Sequence, residues 1–178
     1  MKEKKMLIVI DMQNDFIDGS LGTPEAVAIV PRVIERINVC REAGNTLIAT
    51  LDTHGEDYLQ TPEGKKLPVP HCIRGTEGWQ IKKEIRDALG ECILVEKPAF
   101  GSVELPGIIA REAKDAEKLT IELLGLCTDI CVVSNALILK AYFPEAAIAV
   151  NAACCAGVTP ASHAAALQTM AGCQIDVL

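Results

Sequence analysis

Short apolar runs alternate along this chain with longer segments whose apolar residues recur at helical spacing. Leu7–Ile10, Thr46–Leu51, Cys92–Val95, Leu119–Leu124 and residues 147–150 have strand length and carry mostly Ile, Leu, Val and Ala, and a last strand is expected near Ile175. Residues 26–43 place Ile29, Val30, Val33, Ile34, Ile37 and Cys40 on one helical face and stop at Gly44. The same spacing predicts helices over Trp79–Leu89, 105–114, 129–142 and 160–171. Residues 52–78, rich in proline and glycine, show no period and read as a long functional loop. Strands that alternate with helices predict an α/β fold: a doubly wound, mostly parallel six-stranded sheet with helices on both faces. No repeat, linker or low-complexity stretch divides the chain, so residues 1–178 are expected to form one domain.

In such sheets ligands bind beyond the carboxyl ends of the strands. Here the first strand ends at Asp11, the second at Asp52, the third at Lys97 and the fourth near Cys131. One charged residue after a strand is ordinarily a solvated loop; four that converge on one crevice point to chemistry. Gly125 sits at the bend after the fourth strand, with Thr128 or Asp129 as N-cap candidates for the next helix. Cys131 then falls in the first helical turn, where free N–H groups favour a thiolate. Asp11 can take the thiol proton, Lys97 can supply compensating charge, and the backbone N–H groups of Cys127 and Cys131 are placed to hold an oxyanion. The plain structural alternatives are a buried cysteine, a rim lysine and an aspartate that caps a turn.

A second constellation lies in the long loop: Asp52 and His54, then Glu63, then His71. Two of the three histidines of the chain fall there beside two carboxylates, a donor set suited to zinc, iron or manganese. A polar loop with hydrogen-bonded histidines is the alternative. His163, on the helix after Thr159–Pro160, reads as structural.

Composition narrows the function classes. At 178 residues with 49% hydrophobic but only 3% aromatic content, the core must be aliphatic. A net charge of −7 and a pI near 5.0, with no basic run, argue against a nucleic-acid partner. No apolar run reaches the ~20 residues that span a bilayer. The amino-terminal segment leads straight into the first strand, which implies a cytoplasmic protein. The eight cysteines are scattered and match neither a disulfide framework nor a zinc ribbon, so most are expected to be reduced core residues.

The stretches Ile8-Val-Ile-Asp11-Met-Gln-Asn-Asp-Phe16, Lys97 and Gly125-Leu-Cys-Thr-Asp-Ile-Cys131 resemble the isochorismatase-like cysteine hydrolases, and the resemblance extends through Ala156-Gly-Val-Thr-Pro160. It implies a three-layer sandwich, a catalytic triad of Asp11, Lys97 and Cys131, and a cis peptide between Leu126 and Cys127 at the oxyanion hole. It also implies that Phe16, Leu126 and Phe100 contact substrate. Asp52-x-His54, with His71 before Cys72-Ile-Arg-Gly-Thr76, looks like the metal site of the nicotinamidase subgroup, whose members convert nicotinamide to nicotinate and ammonia in NAD salvage. One divalent ion, zinc first and iron or manganese as alternatives, would be held by Asp52, His54, Glu63 and His71.

The chain departs from that pattern in two places. Tyr58 and Gln60 stand where many nicotinamidases carry a third histidine, so that Glu63 or Tyr58 would complete the site. Leu67, Pro68 and Val69 stand where a second ring-stacking aromatic is expected. A related hydrolase for another small amide or carbamoyl compound is therefore the alternative, and a non-catalytic binding protein of the same fold a third reading. Apolar helices point to a homo-oligomer whose partner is a small-molecule amide, with no membrane or nucleic acid involved.

Overall fold

The structure, a computed structural model, describes residues 2–178. Six strands carry the fold: β1 (Glu3–Ile10), β2 (Thr46–Asp52), β3 (Ile93–Lys97), β4 (Lys118–Leu126), β5 (Ala147–Ala156) and β6 (Asp176–Val177). The helices are α1 (Asn14–Ile17), α2 (Pro24–Glu42), α3 (Pro62–Lys66), α4 (Lys83–Leu89), α5 (Leu105–Glu112), α6 (Val133–Tyr142) and α7 (Pro160–Gly172). The strands form one parallel sheet in the order β3-β2-β1-β4-β5-β6. Helices cover both faces, giving the three-layer α/β architecture that the alternating pattern predicts. Among the described residues no helix is long and apolar enough to cross a membrane.

The centre of the sheet follows from its sequence. Leu7, Ile8, Val9 and Ile10 of β1 are buried on both faces, as the inner strand of a covered parallel sheet must be. From β1 the chain winds outward to β2 and β3, then returns to place β4 on the other side of β1. That reversal is the topological switch point, and it opens a crevice beyond the carboxyl ends of β1 and β4. Helix α2 buries Ile29, Val33, Ile37 and Cys40, the stripe its period predicts. Thr23 caps it by accepting the Ala26 N–H at 3.0 Å, and Pro24 stands in its first turn.

Four expectations shift. The helix expected over Trp79–Leu89 starts only at Lys83, because the preceding backbone pairs with the segment after β1. Asn14 N–H donates to Gln80 O, Lys82 N–H donates to Met12 O, and Gln13 bridges Ile81. The strand expected over 147–150 continues to Ala156, with a register shift against β4 between Leu123 and Gly125. The helix expected from 129 begins as a π-turn over Thr128–Val132, and neither Thr128 nor Asp129 caps it. Their side chains instead bond His163 and Val158. The long loop contains a 3-10 turn (Tyr58–Gln60) and α3, capped by Thr61, which accepts the Gly64 N–H at 3.0 Å.

Gly125 lets β4 pass close to β1. Its φ is +119°, and a Cβ there would stand 2.1 Å from the Ile10 carbonyl oxygen. Gly125→Ala should therefore destabilise the fold by at least ~2 kcal/mol, since strain and overlap fall on a buried backbone contact. Urea unfolding that gave wild-type stability would contradict this account.

Candidate active site

Three strand ends meet at the switch point. Asp11 follows β1 with φ +47°, a left-handed conformation that Asp tolerates better than most residues. Thr50 on β2 holds it from both sides: Thr50 Oγ1 accepts the Asp11 N–H at 3.2 Å and donates to Asp11 Oδ1 at 2.6 Å. Lys97 ends β3 in register with Asp52, the last residue of β2. Its ammonium lies 2.6 Å from Asp11 Oδ2, 3.3 Å from Asp52 Oδ1, 3.1 Å from Ala99 O and 3.5 Å from Cys131 Sγ. Asp11 and Lys97 are fully enclosed, and Asp11 Oδ2 has no hydrogen bond apart from this ion-pair contact. A carboxylate lone pair therefore remains beside a buried thiol.

Cys131 reaches this cluster from the π-turn. Ile130 N–H and Val132 N–H both donate to Cys127 O at 3.1 Å, which curls the chain beneath Cys131. Asn135, buried one turn later, donates to Cys131 O at 2.8 Å and to Phe100 O at 3.1 Å, while accepting the Ser102 N–H at 2.9 Å. It thereby ties the loop after β3 to α6. The Leu126–Cys127 peptide is cis, and the Cys127 N–H donates to no acceptor among the described residues.

The electrostatics revise one expectation. Burial, and then the Asp11 carboxylate, push the Cys131 thiol well above its ordinary value, and Lys97 opposes this only in part. Desolvation thus opposes the thiolate that the turn position alone favours. Asp11 is also raised, by burial and by Asp52 against the pull of Lys97. Lys97 moves up: burial disfavours its charge, but Asp11, Cys131 and Asp52 together outweigh that. Burial thus raises both the thiol and the neighbouring carboxyl group.

The loop residues form a second cluster against the first. Asp52, His54, Glu63 and His71 bring one ligand atom each to within 4.8 Å of the others. Asp52 Oδ2 lies 3.0 Å from His54 Nε2 and 3.6 Å from His71 Nε2, and Glu63 Oε1 lies 3.7 Å from both imidazole nitrogens. His71 Nδ1 pairs with Val69 O at 2.9 Å, which assigns the proton to Nδ1 and leaves Nε2 to face the cluster as a lone-pair donor. Burial disfavours ionised Asp52, but His54, His71 and Lys97 outweigh it and hold the carboxyl well below the usual range. Two imidazoles and two carboxylates around one point fit a divalent transition metal. Tyr58 does not join them, since its hydroxyl donates to Leu67 O at 2.9 Å. Glu63 instead brings the fourth potential ligand atom.

Gln13, which carried no role in the sequence reading, fastens the two clusters together. Its carboxamide accepts the Asp52 N–H at 2.8 Å and donates to Asp52 O at 2.9 Å and Trp79 O at 2.7 Å. A side chain thus pairs with β2 as another strand would. The available signal for Gln13 and Thr50 was a polar residue in or just after a buried strand, but partners so distant in the chain are invisible to local pattern.

Both clusters open onto one cavity of about 240 Å³. Phe16, Leu126 and Phe100, the expected substrate contacts, all line it, as do Cys127 and Cys131. Asp52, Glu63 and His71 face it from the metal-type cluster, and Leu67, Ile130 and Val158 add aliphatic wall. The volume suits a small ligand, and the convergent polar groups lie near the thiol.

The sequence profile for the isochorismatase domain matches residues 5–178. The chain is 31% identical over 182 residues to the uncharacterized isochorismatase family protein PncA of Bacillus subtilis, covering 94% of each. Its fold superposes on the crystal structure of nicotinamidase/pyrazinamidase PncA from Bacillus subtilis with a TM-score of 0.81, 28% identity and 98% coverage of both chains. N-carbamoylsarcosine amidase from Thermoplasma acidophilum gives a TM-score of 0.77 at 28% identity, over 98% of this chain and 95% of that one.

Gln13→Ala leaves the Asp52 N–H and carbonyl buried without partners. The variant should lose about 1–3 kcal/mol of stability and bind zinc roughly 10–100-fold more weakly. Zinc titration of the folded variant reads this directly, and wild-type affinity would remove Gln13 from the account.

Proposed function

The chain belongs to the isochorismatase family and is an amidohydrolase, and from that premise we propose that it is a nicotinamidase, hydrolysing nicotinamide to nicotinate and ammonia in NAD salvage. One observation carries the choice of substrate. The four-donor cluster of Asp52, His54, Glu63 and His71 opens onto the same cavity as the Cys131 thiol, so a substrate with a ring nitrogen and a carboxamide can be held at both ends. The fold neighbour named nicotinamidase/pyrazinamidase supports the reading.

The reaction is assigned to Asp11, Lys97 and Cys131. As Cys131 Sγ attacks the carboxamide carbon, its proton passes to Asp11 Oδ2, the carboxylate oxygen without a further donor. The oxyanion is received by the backbone N–H groups of Cys127 and Cys131. Asp11 returns the proton to the departing nitrogen, ammonia leaves, and a thioester remains on Cys131. A water molecule, deprotonated by Asp11, attacks the thioester carbon; the thiol is restored and the carboxylate released. Lys97 keeps its charge throughout, 2.6 Å from Asp11 and 3.5 Å from the sulfur, and balances the negative charge that moves between them. Asp52, His54, Glu63 and His71 would hold one divalent ion, zinc by preference and iron or manganese as alternatives, and that ion would supply a Lewis-acidic seat for the ring nitrogen.

A second reading rests on the cavity wall. Phe16 and Phe100 are the aromatic side chains of that wall, but Leu67 lines it in the region where a further ring-stacking aromatic was expected. An aliphatic residue there also accepts a compact non-aromatic amide or carbamoyl group, and the carbamoylsarcosine amidase neighbour supports that chemistry.

Ammonia release from nicotinamide by the purified protein, as isolated, after chelation and after zinc readdition, separates the readings. Activity lost on chelation and restored by zinc is expected. Cys131→Ala should abolish turnover while metal content stays at the wild-type level, and His54→Ala should lose metal and raise KM. Turnover of N-carbamoyl amino acids in place of nicotinamide, insensitive to chelation, would favour the second reading.

A further inference from the structure

The π-turn that carries Cys127 and Cys131 is gripped from outside the triad, and the grip has no part in the reaction as written. Thr128, completely buried, pairs its Oγ1 with His163 Nδ1 at 2.8 Å. The next residue, Asp129, accepts the Val158 N–H on Oδ1 at 3.0 Å. Val158 and His163 belong to the segment that leaves β5 and enters α7. Gly157 permits the contact, since a Cβ there would stand 2.9 Å from His163 Cβ and 3.0 Å from Asp129 Oδ1. The start of α7 is itself fixed by Thr159 and Ser162, which cap it reciprocally, and His163 N–H donates to Thr159 O at 3.0 Å. A rigid helix start therefore holds the residue that immediately follows Cys127.

That position matters because Thr128 lies between the two N–H groups assigned to the oxyanion. An oxyanion site works by preorganisation, and a donor that drifts by a fraction of an ångström loses most of its worth in the transition state. Within the turn, Val132 and Asn135 bond the Cys127 and Cys131 carbonyls and Val133 N–H donates to Thr128 O, so His163 is the group that holds the Thr128 side chain from outside the turn. We propose that His163 is a positioning residue for the oxyanion-binding turn, acting through its hydrogen bond to Thr128. The inference rests on the cysteine amidohydrolase reading of Cys131, but not on nicotinamide as the substrate.

Substitution at His163 is sterically tolerable, because it is only half-buried and also lines an open cleft with Arg32, Ala152 and Pro160. His163→Phe keeps the ring and removes the bond; His163→Asn places an amide group near the position of Nδ1. Three readouts are measured on the zinc-loaded proteins: nicotinamide kinetics, reversible capture of benzaldehyde, and the rate of Cys131 alkylation by iodoacetamide. Benzaldehyde adds the sulfur to its carbonyl carbon and takes the thiol proton to give a hemithioacetal, whose oxygen occupies the oxyanion position. Alkylation displaces iodide and forms no oxyanion.

His163→Phe should lower kcat about tenfold with KM within twofold, weaken benzaldehyde capture by a similar factor and leave alkylation unchanged. His163→Asn should recover most of the loss, and Thr128→Val should reproduce it without adding to His163→Phe. The proposal is overturned if His163→Phe captures benzaldehyde as tightly as wild type. It is equally overturned if capture, alkylation and thermal stability fall together and Asn restores none of them, or if the wild-type protein captures no aldehyde. Failure of wild type to hydrolyse nicotinamide would instead count against the substrate assignment, leaving the aldehyde comparison to read the turn.

Discussion

One buried ammonium organises the site. Lys97 is enclosed at the end of β3, and a charge in that position is tenable only if its partners are close and well directed. Asp11 supplies one carboxylate from β1 and Asp52 another from β2, so three strand ends must stay in register to satisfy one side chain. The order β3-β2-β1 in the sheet thus has an electrostatic consequence as well as a packing one. Removing either carboxylate would leave a buried charge partly uncompensated, which is far costlier than losing a surface pair.

Much of this arrangement was legible in the sequence because it rests on two local signals. Buried parallel strands write themselves as apolar runs, and the residue at the carboxyl end of each run is the one that reaches the crevice. Asp11, Asp52 and Lys97 were found that way, and the loop histidines stood out because the chain has only three. What stayed hidden depends on partners distant in the chain. Gln13 mimics a strand edge for Asp52, and Trp79–Lys82 leave helical geometry to pair with the segment after β1. No propensity records either. Thr128 looked like a cap because Thr so often is one, but its hydroxyl is taken by His163 from another helix. The upward push on the Cys131 thiol stayed hidden for the same kind of reason: turn position is local, whereas desolvation is set by the whole fold.

The cavity explains why identity of fold leaves the substrate open. Its ionisable groups are gathered at the Cys131 end and at the Asp52–Glu63–His71 end, and its remaining wall is mostly aliphatic, with Phe16, Phe100 and Thr23 as the exceptions. Polar ends fix the distance between the two groups a substrate must present. An aliphatic wall restrains only its thickness, since an apolar surface discriminates weakly between flat and compact bodies of similar volume. Discrimination in favour of a ring would therefore fall on Phe16, Phe100 and whatever occupies the metal-type cluster.

The charges also connect the two halves of the site. Asp11, Asp52 and Glu63 bring three carboxyl groups to adjoining positions beside the one ammonium of Lys97, an excess of acidic groups. A single divalent ion among Asp52, His54, Glu63 and His71 would balance that excess. Asp52 then has two distinct tasks, with Oδ1 on the Lys97 ammonium and Oδ2 directed to the histidines. Because one carboxylate serves both, charge at the histidine end is felt at the thiol end through a single side chain. The backbone of that side chain is held by Gln13, so a residue that belongs to neither cluster sets the geometry that both share.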